Sequence, residues 1–253
     1  MYAEERQQEI LRRARAAGRV DVVSLAGELD VTTETIRRDL TALERAGVLR
    51  RVHGGAIPVE RMGFEPALAT RDEVMTAEKE RIAKAALAEL PEDGSVIIDA
   101  GSTTGRLVQI LPADRELTVV VNSPPLATAL AARANISVIV LGGRLRGRTL
   151  ATVDDWALRP LSQLHVDVAF MATNGCSVAK GLTTPDPAEA AIKRAMVSAA
   201  ERSVLLADHT KFTNTYLASF AELSEIDVVI TDAGLDLALA ADLSAAGPEV
   251  VRA

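Results

Sequence analysis

Six short apolar runs, at residues 96–98, 117–121, 138–141, 166–171, 204–207 and 228–230, recur through the later part of this chain. Most are separated by stretches with helical spacing, such as 126–134 and 188–200. A run that is apolar at every position has no side left for water. It belongs in a strand covered on both faces. In a chain that alternates strands with helices, that means a mainly parallel sheet between helical layers. With 253 residues, 48% of them hydrophobic, the chain is long enough for such a domain and a smaller one besides.

Sheets of this kind bind ligands beyond the carboxyl ends of their strands. The first run is followed by Asp99-Ala100-Gly101-Ser102-Thr103-Thr104-Gly105. Small residues there let backbone N–H groups converge, hydroxyls add donors, and a helix N-terminus adds a favourable dipole. That is a phosphate cradle in outline, although an ordinary turn with a helix cap reads the same way. It has neither Walker nor G-x-G-x-x-G spacing. The next runs are followed by Asn122-Ser123-Pro124, by Gly142-Gly143 with Arg144, Arg146 and Arg148, by Thr173-Asn174-Gly175, and by Asp208-His209-Thr210-Lys211-Phe212. Five consecutive strand ends with small, polar or charged groups converge on one rim. Lys193, on the helix begun by Asp186-Pro187, and Lys211 are candidate anion partners. The plainer readings make Lys193 a surface residue and Asp208 a helix cap.

Residues 1–57 read as a separate α+β unit. Ile10, Leu11 and Ala14 recur at helical spacing, and Gly18 stops a helix over 4–17. Val20-Asp21-Val22 is an extended link. Leu25 and Leu29 mark the buried side of a short helix over 24–29, and Asp30-Val31 makes a turn. Thr32 caps a third helix, which Gly47 ends. Ile36, Leu40 and Leu43 form its apolar stripe. Glu34, Arg37, Arg38 and Thr41 face away from it, with Thr33 and Thr35 at the N-terminal end. The following Val48-Leu49-Arg50-Arg51-Val52-His53-Gly54-Gly55-Ala56-Ile57 reads as a β-hairpin. Either arginine pair alone is a solvated surface. Two pairs flanking one capped helix make a winged helix-turn-helix. Its hydroxyls and helix end would hold phosphates, and its arginines would reach guanine or the backbone.

The net charge is −7, but residues 1–57 hold 10 Arg, no Lys and 9 acids, while the rest holds 18 basic and 26 acidic residues. A near-neutral head on an acidic body directs DNA contact to the head, because local charge decides phosphate contact. No apolar run has the length of a membrane span, and the charged N-terminus lacks a signal core. Cys176 is the one cysteine, so no internal disulfide forms, and a reducing cytoplasm is expected. His53, His165 and His209 are scattered without ligand spacing, so no metal site is expected. Residues 58–75, with Pro58, Gly63 and Pro66, read as a linker, and 76–253 as the ligand-binding domain.

The run "VTTETIRRDLTALERAGVLRRVHGGA" closely resembles the signature of the DeoR family of bacterial repressors. The pieces "DAGSTT", "LGGRLRG", "GLTTPD", "AAIKRAM", "ADHTKF" and "VVITD" carry the resemblance through the body. It implies a winged helix-turn-helix head that binds double-stranded operator DNA. Thr32, Thr33, Thr35, Arg37, Arg38, Thr41, Arg50 and Arg51 face the DNA, and His53 joins them as part of the wing motif. It implies a body similar to the ribose-5-phosphate isomerase and CoA-transferase group of α/β folds. Asp99, Gly101, Ser102, Thr103, Thr104, Asn122, Gly142, Gly143, Arg144, Gly175, Lys193, Asp208 and Lys211 then lie at or near a sugar-phosphate pocket. Where many members carry a glycine before the next helix, this chain has "ATVDDWA", with Asp154 and Asp155. Within the family the chain looks most like the actinobacterial fructose-operon repressors, which implies a fructose phosphate, fructose 1-phosphate first. A homodimer or homotetramer would match repeated half-sites. No cofactor or catalytic residue is expected. An isomerase-like enzyme with an added head is the alternative, but Asp99, Asp208 and Lys193 would serve sensor and enzyme alike. The head separates the two readings, since an isomerase has no need of one.

Overall fold

The computed structural model describes residues 3–45, 48–52, 54–58, 65, 67–212 and 214–253. Its contacts divide the chain into two units, Met1–Phe64 and Glu65–Ala253. The first unit runs α1 (Ala3–Ala17), β1 (Val20–Asp21), α2 (Val22–Glu28), α3 (Thr33–Arg45), β2 (Leu49–Val52) and β3 (Gly55–Pro58). The expected link at Val20 and Asp21 is a strand. It pairs with Ala56 and Gly55, giving a three-stranded sheet in the order β1-β3-β2. A Cβ at Gly55 would lie 1.9 Å from the Val20 carbonyl oxygen, so the third strand requires glycine there. Helix α2 begins at Val22 rather than at residue 24, because the Asp21 carboxylate accepts from the N–H groups of Val23 (2.9 Å) and Ser24 (3.1 Å). Thr32 caps α3, accepting from the Thr35 N–H at 3.2 Å. Gly47, the expected end of that helix, lies outside the described residues. Ile10, Leu25, Leu29, Ile36, Leu40 and Leu43 close on one core.

The second unit opens with α4 (Leu68–Asp72), α5 (Thr76–Ala86), β4 (Gly94–Ile98), α6 (Ser102–Ile110), β5 (Leu117–Val121), α7 (Pro124–Ala131) and β6 (Ile136–Val140). A hairpin of β7 (Arg144–Leu145) and β8 (Thr152–Val153) leads to α8 (Asp155–Leu161), β9 (Val166–Met171), β10 (Gly175–Ser177) and β11 (Gly181–Thr184). Then come α9 (Pro187–Ser198), β12 (Ala200–Leu206), β13 (Ala218–Ala221), β14 (Val228–Thr231), α10 (Leu237–Ala245) and β15 (Glu249–Arg252). Seven strands form one sheet in the order β15-β14-β12-β9-β4-β5-β6, parallel throughout.

Alternate strand residues enter different cores, which is why the runs are apolar at every position. Val96 and Ile98 pack with Ile82, Leu107 and Leu130 of α5, α6 and α7. Ile97 packs in the other core with Ala157, Met196 and Leu243 of α8, α9 and α10. The seventh strand, β15, shows no apolar run because Glu249 and Arg252 give it the charged character of a sheet edge.

The expected linker 58–75 reaches too far. Glu65 is buried and α4 belongs to the second unit. A five-residue helix is too short to show periodicity in sequence. Residues 59–64 and 66 lie outside the described residues. The chain runs outward from β4 through β5 to β6, then returns to β9 on the other side of β4. The gap between β4 and β9 is therefore the topological switch point, where such sheets bind ligands.

Candidate functional site

The loops after β4 and β9 flank a cleft at that switch point. The N-terminus of α6 enters it with Gly101, Ser102 and Thr103, the β9 loop adds Ala172 and Thr173, and Arg71 and Lys211 bring two cations. The two loops are held very close. A Cβ at Gly101 would lie 2.8 Å from the Ala172 Cβ and 2.9 Å from the Thr104 Oγ1. Thr104 does not face the cleft as a donor. Its hydroxyl donates to the carbonyls of Asp99 (2.7 Å) and Gly101 (3.1 Å), bracing the turn. Asn122 also braces, its Oδ1 accepting from the Ala100 N–H at 2.8 Å.

Asp99 and Lys193 form a buried ion pair behind the loops. Asp99 Oδ2 also accepts from the Ala172 N–H at 3.0 Å, and Lys193 donates to the Ala172 carbonyl at 3.0 Å. Burial pushes the Asp99 carboxyl above its usual range, against the pull of Lys193. The pair thus joins the β4 end, the β9 end and α9. Lys193 is not the surface residue of the plainer reading. Asp208 does cap a turn, accepting from the Thr210 N–H at 3.1 Å, and its other oxygen lies 4.0 Å from Lys211 Nζ.

Two cations escaped the sequence reading, Arg71 in the cleft and Lys79, which holds the Arg71 carbonyl. Arg71 sat in the stretch read as linker, yet its Nε and Nη2 are buried with no protein partner. Buried guanidinium N–H groups without acceptors are costly and call for an anion. Lys79, buried on α5, donates to the carbonyls of Arg71 and Val74, the latter at 2.7 Å. Its signal was visible. Lys79 falls on the same helical stripe as Ile82, Ala83 and Ala86, where a solvated lysine does not belong.

Gly142, Gly143, Arg144 and Gly175 do not line this cleft. Arg144 is spent on the β7–β8 hairpin, where Nε meets Asp154 Oδ2 at 2.7 Å in an exposed pair. Gly143 lets the chain turn against the Val153 carbonyl, and Gly175 lies against the Asn214 carbonyl. Gly143 and Gly175 thus serve backbone packing, and Gly142 is exposed with open space around it.

On the first unit, α3 presents Arg37 and Arg38 with side chains 56% and 82% exposed, in long pairs to Glu34 at 3.8 and 3.7 Å. Thr33 and Thr35 sit half-exposed at the start of the helix, beside the exposed Thr32. Thr41 turns its hydroxyl back to the Arg37 carbonyl at 2.8 Å. Arg51, expected to reach out, instead donates from Nη1 to the Arg37 carbonyl at 3.2 Å, and its backbone N–H meets Glu44 Oε1 at 3.0 Å. It ties the β-hairpin to the exposed helix. The backbone of Arg50 lies in β2. His53 lies outside the described residues. Among the described residues, no group of three or more His, Cys, Asp or Glu could hold a metal, and no helix is long and apolar enough to cross a membrane.

Two family models match the chain: the DeoR-like helix-turn-helix domain over residues 6–61 and the DeoR C terminal sensor domain over residues 74–233. Among curated relatives, the HTH-type transcriptional regulator GlpR of Haloferax volcanii is 38% identical over 99% of this chain and 98% of its own. The uncharacterized HTH-type transcriptional regulator FruR of Bacillus subtilis is 33% identical, covering 92% of each chain. The L-fucose operon activator of Haemophilus influenzae is 33% identical over 91% of this chain and 92% of its own.

Proposed function

This chain belongs to the DeoR family of helix-turn-helix transcriptional regulators, and from that premise we propose that it is a repressor of a sugar-utilisation operon that lets go of its operator when a phosphorylated sugar fills the α6 cleft. The carrying observation is Arg71, whose buried, partnerless Nε and Nη2 lie at the N-terminus of α6 together with Ser102, Thr103 and Lys211. Two cations, two hydroxyls and a helix N-terminus match a phosphoryl dianion better than any neutral ligand. Fructose 1-phosphate is the first choice of sugar. One named relative is an L-fucose operon activator, so sugar and sign of response belong to each member. No resident cofactor is invoked, and the protein acts in the cytoplasm as a homodimer or homotetramer whose paired heads span half-sites about one helical turn apart.

Operator contact is assigned to Arg37 and Arg38 with Thr32, Thr33 and Thr35. Their exposure and the dipole at the start of α3 favour phosphate and base contacts. An isomerase-like enzyme is the weaker reading, because the chain carries the DeoR-like helix-turn-helix over residues 6–61 and matches curated transcriptional regulators over nearly its whole length.

A thermal-shift panel of sugar phosphates and their unphosphorylated sugars, followed by operator release with each hit, tests this. Stabilisation by phosphorylated members alone is expected. Equal shifts with the free sugars, or turnover of the bound sugar, would sink the reading.

A further inference from the structure

The second unit begins on a buried acid. Glu65 is 2% exposed, and three partners hold it. Its Oε1 accepts from Asn174 Nδ2 at 2.9 Å, its Oε2 from Arg146 Nη1 at 3.0 Å, and its carbonyl from Arg148 Nη1 at 2.5 Å. The Arg148 carbonyl then accepts from the Leu68 N–H at 2.9 Å, where α4 starts. Glu65 and residues 67–72 thus form a strap pinned at its entrance to the turn between β7 and β8 and to the loop after β9. At its far end the strap carries Arg71, with two guanidinium nitrogens unspent at the cleft.

The pin carries surplus negative charge. Arg146 serves Glu65, Glu189 at 2.5 Å and Asp186 at 3.2 Å, so one guanidinium answers three carboxylates. Thr149 gives Glu189 a further hydrogen bond. Burial pushes the Glu189 carboxyl up, but Lys193, Thr149 and Arg146 outweigh it and hold it below its usual range. Lys193 is itself bonded to Asp99 behind the cleft. Positive charge is therefore shared along one line, from Asp99 through Lys193 and Glu189 to Arg146 and Glu65. Glu65 shares its cation with two other acids, so its charge is less fully neutralised than that of an acid with a cation to itself.

We propose that Glu65 is the latch through which the cleft reports to the segment joining the two units. An anion on Arg71 draws α4 toward the α6 N-terminus, and the Glu65 end, short of positive charge, is the end that gives. The inference rests on the anion reading of the cleft, and it adds the residue that carries the signal out of it. The latch needs a strap with two states, each end favouring one of them.

Amide hydrogen exchange on the full chain tests it, with inorganic phosphate, fructose 1-phosphate and glucose 6-phosphate as probes. In the native protein, a bound probe should change exchange across Leu68–Asp72 and across residues 146–149. In Glu65→Gln, that change should vanish while the probe concentration giving half the thermal shift stays within about twofold, well under the tenfold that 1.4 kcal/mol represents. A bound probe that leaves the strap's exchange unaltered overturns the latch, and so does a Glu65→Gln protein that keeps the native response. If no probe binds, the anion reading itself fails. The unliganded proteins then decide the latch. Loss of a charged hydrogen bond should raise strap exchange about tenfold in Glu65→Gln, and equal exchange would overturn it.

Discussion

At the scale of single residues, Lys79 shows how burial tunes a cation that braces the cleft from behind Arg71. Desolvation lowers its pKa from an ordinary 10.5 to about 8. The unfolded chain therefore binds more protons than the folded one between about 8 and 10.5, and this group's cost to stability, present below pH 8, is relieved as pH rises through that window. The charged form holds the Arg71 carbonyl and so positions the guanidinium that lines the cleft. Sugar-phosphate affinity should be greatest below pH 8 and fall above it by at most about tenfold per pH unit. Isothermal titration from pH 7 to 9.5 checks this, and Lys79→Met should flatten the profile. Asp154 is a different case. It sits at φ +73 and ψ −174, a region nearly reserved for glycine. Asp154→Gly should stabilise the protein by about 1 kcal/mol in urea denaturation, because the exposed pair with Arg144 that it gives up is worth little. A lower midpoint would show that the pair outweighs the strain.

At the scale of elements, α3 is the part most fully legible in sequence. Its apolar stripe, its Thr32 cap and its two outward arginines all follow from spacing. Arg37→Ala and Arg38→Ala should each weaken operator binding by about 1–3 kcal/mol, with sugar-phosphate binding unchanged. Fluorescence anisotropy over a salt series reads both the affinity and the charge contribution. An operator affinity equal to the native one would move the recognition surface elsewhere. Asp39 was less legible. It lies on the stripe beside Ile36, Leu40 and Leu43, and it is buried because Arg6 Nε at 2.5 Å and Gln7 Nε2 at 3.0 Å reach it from α1. Spacing places such an acid on the inner side of a helix, but only its partners across the core make the position tolerable. Arg51 is the mirror case, a residue that reads as outward and is turned onto its neighbour.

At the scale of the whole molecule, the proposed release requires a ligand that binds one arrangement better than another and shifts the population by that difference. Lys211→Ala should leave operator affinity native, weaken sugar-phosphate binding at least about tenfold, and raise the sugar concentration needed for release in proportion. Gel-shift titrations with and without ligand check this, and a variant that releases normally would place the anion away from Lys211. Asp99→Ala is the poorer probe, since it strands the buried Lys193 and should destabilise the protein by about 3–5 kcal/mol.

Periodicity and capping, read along one dimension, determined the winged head, the parallel sheet and a polar rim from Asp99 to Lys211. Those are local properties, set by which side chains a helix or strand must hide. Strand order is not local. Only the tertiary structure decided that β4 and β9 lie side by side, that their loops therefore open the cleft, and that Arg71, its carbonyl held by Lys79, reaches it from a stretch that looks like linker. The same packing turned Thr104, Asn122, Gly143 and Arg144 into braces, because a group's role depends on which partner the fold brings within hydrogen-bond reach.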